Sequence, residues 1–373
     1  MASLNQSDYE LLRDTAGRFF DERSPVDALR ALRDEANESG FDRAVWGEMI
    51  EMGWGGILID ERHGGIEFGY QAMGELQEQA GRRLVASPLL STAAICAPLL
   101  AAGAKEARAR YLAPLLEGNL IGALAIDEHR RHAPQRIATE ATPDNGEFIL
   151  SGQKIFVVDG HIADLILVLA KVGANGMGLF AVEPGFAGVM RTRAKTVDGH
   201  SVAEIVFNDV VVPDSHCLSA DTQCRVMLER ALDGARALLS AEMLGIAQEA
   251  FDRTIEYLQV REQFDAPLGS FQALKHRAAQ MFCEIELARS AVFGALKALD
   301  ENDPVAPELC SVAKAKSCEM LELVSNEALQ MHGGIGMTDA SDIGLFMKRA
   351  RVAQQLFGDA SFHRDRFATL IGL

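Results

Sequence analysis

The chain has 373 residues, 48% hydrophobic and 24% charged, which suffices for a large core and for two or three domains. Its formal net charge of −17 excludes a general affinity for nucleic acid or anionic membrane surfaces, since no basic stripe offsets it. An anionic ligand stays admissible, because a local Arg or a helix N-terminus can hold one within an acidic surface.

The opening "MASLNQSDYELLRD" is polar and helical rather than a signal peptide. In "SDYELLRDTAGRFFDE" apolar residues recur at helical spacing, with Ser7 and Asp8 as capping candidates. "GFDRAVWGEMIEMG" repeats the period and stops at Gly53, and "WGGILIDERHGG" is too rich in glycine to continue it. The apolar run "ASPLLSTAAICAPLLAAGA" is broken by Pro and Ser, so it reads as core helix and not as a membrane span. The six cysteines are scattered without a CxxC pair, as for thiols in a reducing compartment, and a cytoplasmic location is expected. The nine histidines lack metal-ligand spacing, so no metal site is expected.

From Leu120 the texture changes to short β-rich runs, "LIGALAI", "EFILSG", "DLILVLAKV", "GLFAVE" and "AEIVFNDVVVP", separated by turn residues such as "PDNGE". An antiparallel sheet or small barrel is expected there. After Leu218 helices return. Leu244, Ala247, Phe251, Ile255 and Leu258 lie at helical offsets in residues 225–260, and three more long helices are expected over 269–300, 305–331 and 340–371. The chain thus divides into an N-terminal α-helical domain (1–119), a middle antiparallel β-domain (120–217) and a C-terminal four-helix bundle (218–373), an α+β fold.

Two stretches carry chemistry. In "VREQFDAPLGSFQALKHRAAQM" a helix ends near Arg261, a Pro-containing turn follows, and a second helix starts around Ser270. Arg261, Phe264 and Gln272 then crowd one corner, where a guanidinium can clamp a phosphate and an aromatic can cover a planar ring. A solvated charge beside a turn is the plainer reading of Arg261 alone. In "QMHGGIGMTD", Gln330 and His332 precede three glycines within four residues, where a helix C-cap needs only one. Bare backbone of that length lets a ligand approach the main-chain N–H groups.

With these two motifs, and with "GWGGILIDERHGG" and "FNDVVVP" in support, the sequence resembles the acyl-CoA dehydrogenase family over nearly its whole length. The resemblance implies helical, β and four-helix domains in that order, and FAD as cofactor. It implies that Arg261, Phe264 and Gln272 bind the pyrophosphate and adenine side of FAD. The stretch Gln330, His332, Gly333 and Gly334 would contribute to a flavin site shared with a neighbouring subunit. The activity implied is α,β-desaturation of an acyl-CoA substrate, with electrons passed on to an electron-transfer flavoprotein or similar acceptor.

The sequence departs from the family at the catalytic glutamate. The usual position is occupied by Phe357, and the alternative one, just before the Arg matching Arg236, by Ala235. Glu242 is the remaining candidate base. It is the only charge between Ala237 and Ala247, where a lone acid would be desolvated and its proton affinity raised, or where it would pair with an Arg or Lys to fix helix packing. Arg236 would place charge near the acyl pocket, and Asp359 is a weaker candidate. The family's flavin-lining loop corresponds to "IDEHRRHAPQ" (126–135), without Gly or Ser, in which Arg130 and Arg131 are candidates for CoA phosphates. The usual Trp-x-Thr contact corresponds to Phe156 and Val158, so an aromatic is kept and a hydroxyl lost. Ser240 is expected to bond back into its own helix.

Such departures resemble bacterial members that work as two unlike subunits, associated with steroid side-chain or ring-fragment CoA thioesters. A homotetramer or an α2β2 heterotetramer with a related subunit is therefore expected. A non-catalytic subunit completing FAD sites on a partner, and a flavin oxidase or monooxygenase on the same fold, are the rival readings.

Overall fold

The computed structural model describes residues 4–35, 37–174, 176–220 and 222–373. Helix α1 (Gln6–Arg23) is capped by Asn5, whose side chain accepts from the N–H groups of Ser7 and Asp8, while the Asp8 carboxylate returns a bond to the Asn5 N–H. The cap thus lies ahead of the two residues expected from sequence, and Asp8 closes a capping box. Helices α2 (Val26–Asp34) and α3 (Arg43–Glu51) follow. Gly53, at φ 79, ends the helical run, and the glycine-rich stretch beyond it holds only short 3₁₀ turns. After α4 (Gly69–Arg83) the chain winds as a π-helix over Leu89–Cys96, all eight residues buried, before α5 (Ala97–Ala102) and α6 (Lys105–Leu116). Pro98 sits just past the π segment, where it removes an N–H and crowds the carbonyl four residues back.

The sheet contains β1 (Gly122–Ala125), β2 (Glu140–Asp144), β3 (Glu147–Val158), β4 (Leu165–Val172), β5 (Gly176–Val182), β6 (Val189–Lys195), β7 (Ser201–Pro213) and β8 (Cys217–Ser219). Its order is β6-β7-β3-β2-β4-β5-β8, with β1 beside β4. Most pairs are antiparallel, but β4 runs parallel to both β1 and β2. The "PDNGE" segment makes the expected hairpin: Asn145 and Gly146 take φ 46 and 89, the left-handed pair that a type I′ turn requires. Register shifts in the β3–β7 ladder, one between Leu150 and Gly152 and one between Lys154 and Val157, re-aim the strand; the second leaves Phe156 at φ 53. Alternate residues of β3, β4, β5 and β7, among them Leu150, Ile166, Phe180, Ile205 and Phe207, form one apolar cluster.

The long helices are α7 (Thr222–Val260), α8 (Gln272–Asp300), α9 (Ala306–His332), α10 (Ile343–Gln355) and α11 (Ala360–Leu370), with the two-residue strands β9 (Glu262–Gln263) and β10 (Ala266–Pro267) after α7. The fourth helix expected over 340–371 is two helices, because Phe357 and Gly358 take φ 55 and 104 and no helix continues through that conformation. Two compact units result: Leu32–Gly69 with Ala86–Ala235, and Leu4–Ala31 with Tyr70–Val85 and Arg236–Leu373. No helix among the described residues is long and apolar enough to cross a membrane.

Within the second unit α4 and α7 touch backbone to backbone. A Cβ on Gly81 would lie 2.1 Å from the Glu242 carbonyl oxygen, and one on Gly245 would lie 1.9 Å from that of Glu78. Glycine is required at both crossings because the obstacle is main chain, which cannot rotate away. Gly245→Ala is therefore expected to destabilise the protein by about 2–3 kcal/mol in urea unfolding. Gly294→Ala in α8, where an added Cβ meets nothing within 4 Å, should be neutral or stabilising, since alanine favours a helix over glycine.

Candidate functional site

The first motif forms a corner. The Arg261 N–H donates to the Tyr257 carbonyl at 2.9 Å, and the Arg261 carbonyl accepts from the Leu268 N–H at 2.8 Å. These bonds close a two-residue hairpin in which Gln263 pairs with Ala266. The turn residues are Phe264 and Asp265, at φ 55 and 60. Such a turn normally takes Asn-Gly, and a side chain in the left-handed region costs about 1–2 kcal/mol. The strain projects Phe264 outward. It is 90% exposed, with its ring edge-to-face with Phe271 at a separation of 6.2 Å. Arg261 and Gln272, the first residue of α8, are exposed beside it. A strained, solvent-facing aromatic contributes little to this chain's own packing, which points to an occupant from outside.

The second motif is the turn after α9. Gly333 has φ 64 and ψ −144, so backbone alone demands glycine there. A Cβ on Gly336 would come within 3.1 Å of the Leu329 carbonyl, so packing demands that one. Gly334 answers to neither: its φ is ordinary, and an added Cβ would meet open space. Its bareness, with Gln330 and Gly333 exposed next to it, leaves the main chain open to a ligand. The loop beyond is clamped by Asp342, whose carboxylate accepts from Arg30 at 2.7 and 2.9 Å and from Arg253 at 2.8 Å.

His332 joins the two motifs. Its Nδ1 donates to the Ala328 carbonyl at 2.7 Å, and its ring stacks on Tyr257 at 4.5 Å and 21°. Burial lowers its proton affinity, so the ring is neutral at physiological pH. Tyr257 lies one turn before Arg261. A single chain therefore carries both motifs at one end of its bundle.

The candidate catalytic residues are placed differently. Glu242, 8% exposed, is bound by Arg349 through Nε at 2.7 Å and Nη2 at 2.6 Å. The acid is paired through Oε1, which is the packing alternative that the sequence left open. Arg236 is fully buried with its guanidinium 5.8 Å from the Phe362 ring centroid, and its carbonyl accepts from Ser240 Oγ at 2.7 Å, the back-bonded serine expected. Phe357 is buried, and its carbonyl is bonded to His363 Nε2 at 3.0 Å. Burial, with Lys314 and Arg236 nearby, pushes the His363 proton affinity down to about 2, so that imidazole is neutral. Asp359 caps α11 through the Phe362 N–H.

Sequence reasoning passed over Lys314. Fully buried on α9, it donates to the carbonyls of Gly358, Ala353 and Gln354 at 2.9, 3.2 and 3.3 Å, knitting α10 to the turn that holds Phe357. Its only signal was a lysine inside the apolar run "CSVAKAKSCEM".

The 126–135 loop is held by contacts of its own carboxylates. Asp127 binds His132 at 3.0 Å, and Glu128 binds the buried Lys154 at 2.6 Å while accepting from the N–H groups of Ala138 and Thr139. Burial works against the Glu128 charge, but these bonds hold its carboxyl below the usual range. Arg130 and Arg131 are exposed. Phe156 faces outward, 52% exposed, whereas its neighbour Val157 is buried in the sheet's apolar cluster.

Residues 6–119, 128–210 and 224–371 match, in that order, the N-terminal, middle and C-terminal domain models of acyl-CoA dehydrogenases. The chain is 30% identical to a short-chain-specific acyl-CoA dehydrogenase of Megasphaera elsdenii, over 84% of this chain and 86% of that one. Among solved structures, the ChsE4–ChsE5 complex of Mycobacterium tuberculosis shares 25% identity at a TM-score of 0.90, covering 100% of both chains. A variant of the Tcur3481–Tcur3483 steroid ACAD shares 28% identity at a TM-score of 0.89 over 98% of each chain.

The Glu242–Arg349 pair yields a direct stability test. Glu242→Gln strands a buried guanidinium and is expected to cost about 3–5 kcal/mol in denaturant unfolding. Adding Arg349→Met should recover most of that loss, because the uncompensated charge then disappears.

Proposed function

The chain belongs to the acyl-CoA dehydrogenase family, a family of enzymes, and from that premise we propose that it is one subunit of an FAD-dependent enzyme that desaturates a CoA thioester between its α- and β-carbons. The observation that carries this reading is the corner, where exposed Arg261, strained Phe264 and Gln272 stand at the same end of the bundle as the open turn Gln330–Gly334. Arg261 can take two pyrophosphate oxygens at once, the bare main chain at Gly334 lets the same anion approach closely, and Phe264 can cover the adenine side. Gln272 and Gln330 supply amides at its edge. Bound FAD supplies the two-electron acceptor for the desaturation.

Removing the α-proton needs a group with real proton affinity, held close and shielded from water. In this chain Phe357 and Ala235 have none, Glu242 is engaged by Arg349, and Asp359 serves as a helix cap. We infer that a related subunit supplies the base and that the working assembly is an α2β2 heterotetramer rather than a homotetramer. Similarity to the ChsE4–ChsE5 complex and to a steroid ACAD supports that assembly and a bulky, steroid-derived CoA thioester as substrate. An electron-transfer flavoprotein would then reoxidise the flavin.

The test is co-expression with candidate companion subunits. The chain alone should not desaturate acyl-CoA, and the co-purified assembly should. Arg261→Ala with Phe264→Ala should lower FAD retention at least tenfold with helical content unchanged, and an unchanged flavin content would contradict the assignment of the corner. If Glu242→Gln abolished turnover in an assembly that kept its FAD, the base would belong to this chain instead.

A further inference from the structure

Lys314 and Cys318 lie one turn apart on α9, both buried, with Nζ 3.4 Å from Sγ. Three carbonyl oxygens, those of Gly358, Ala353 and Gln354, use the three hydrogens of the ammonium. The thiol hydrogen is directed at the Gln354 carbonyl, 3.6 Å away. The sulfur is a fourth acceptor for the same ammonium, across 3.4 Å, so nitrogen and sulfur are held face to face. Among the described residues the thiol is the side chain bonded to Nζ, while the Asp359 carboxylate acts on it through its charge. Burial lowers the proton affinity of Lys314, which raises the share of neutral amine, the form whose nitrogen can react. The sulfur is thus held against an amine in a site that bulky reagents cannot enter.

We propose that Lys314 and Cys318 are a modification site, at which dioxygen installs one oxygen atom as a bridge between Nζ and Sγ. An N–O bond and an O–S bond form, while the O–O bond, one N–H bond and the S–H bond break. Nitrogen and sulfur each give up two electrons, dioxygen takes up all four, and its second oxygen leaves with the two released hydrogens as water. The separation favours a one-atom bridge, since a direct S–N bond would require the two atoms to close about half their distance. The bridged nitrogen keeps a single hydrogen, so two of the three carbonyls lose their donor. Buried carbonyls left without partners are costly, and the joint between α10 and α11, which contains Phe357, is loosened. Four electrons from dithiol restore both side chains. This inference rests on packing within α9 and α10 and is independent of the proposed desaturation.

The test uses the full chain, purified without oxygen together with its assembly companions and then held in air-saturated buffer. Intact and peptide masses should rise by about 14 Da, one oxygen less two hydrogens, localised to the Lys314–Cys318 segment. One titratable thiol should disappear with it, and dithiothreitol should reverse both changes. Anaerobic samples, Cys318→Ala and Lys314→Arg should not show the gain; because the primary reading is on the unaltered protein, a variant that fails to fold does not weaken it. An unchanged mass in air, a gain that survives dithiothreitol or persists in Cys318→Ala, or a loss of two hydrogens without added oxygen would each overturn the oxygen bridge.

Discussion

The stack of His332 on Tyr257 is the contact from which the rest of the site follows. It fastens the end of α9 to the end of α7, and so sets the bare glycine turn beside the corner of Arg261 and Phe264. The Nδ1 bond to Ala328 fixes the plane of the ring, and Asp342, gripped by Arg30 and Arg253, fixes the loop leaving the turn. Around that joint the groups left open are those able to hold an anion and a ring. Their exposure comes with backbone strain at Phe264.

The interior treats charge in the opposite way. Glu242 is closed by Arg349, Lys154 by Glu128, and Lys314 by three carbonyls. Such arrangements contribute modest net stability, but breaking one leaves an uncompensated charge in low dielectric, so each fixes its surroundings. Turn geometry survives where the family's catalytic acid would stand, with Phe357 in a left-handed conformation and its carbonyl tied to His363, while the acid itself is missing. Architecture kept without the reactive group is what the proposed heteromeric assembly would require of this chain.

Much of the fold was legible because its signals are local. The "PDNGE" turn, the β-rich texture after Leu120 and the long apolar-periodic helices depend on neighbours a few residues away. The α10–α11 break was hidden because no proline marks it and its cause is two left-handed residues. The parallel partners of β4 and the Glu242–Arg349 pair, 107 residues apart, are tertiary facts to which no local pattern points. For the site, motif spacing named Arg261, Phe264, Gln272 and the Gln330–Gly334 turn. It did not reveal that one chain brings them together, since that depends on the ring of His332, inside the second motif, stacking on Tyr257, outside the first.

We propose that this corner holds a dinucleotide within an assembly of unlike subunits. The flavin content and subunit composition of the native complex test it most directly. This chain and a related partner are expected in equal number, with tightly held FAD. A complete complex, with every natural companion present and no flavin, would contradict it.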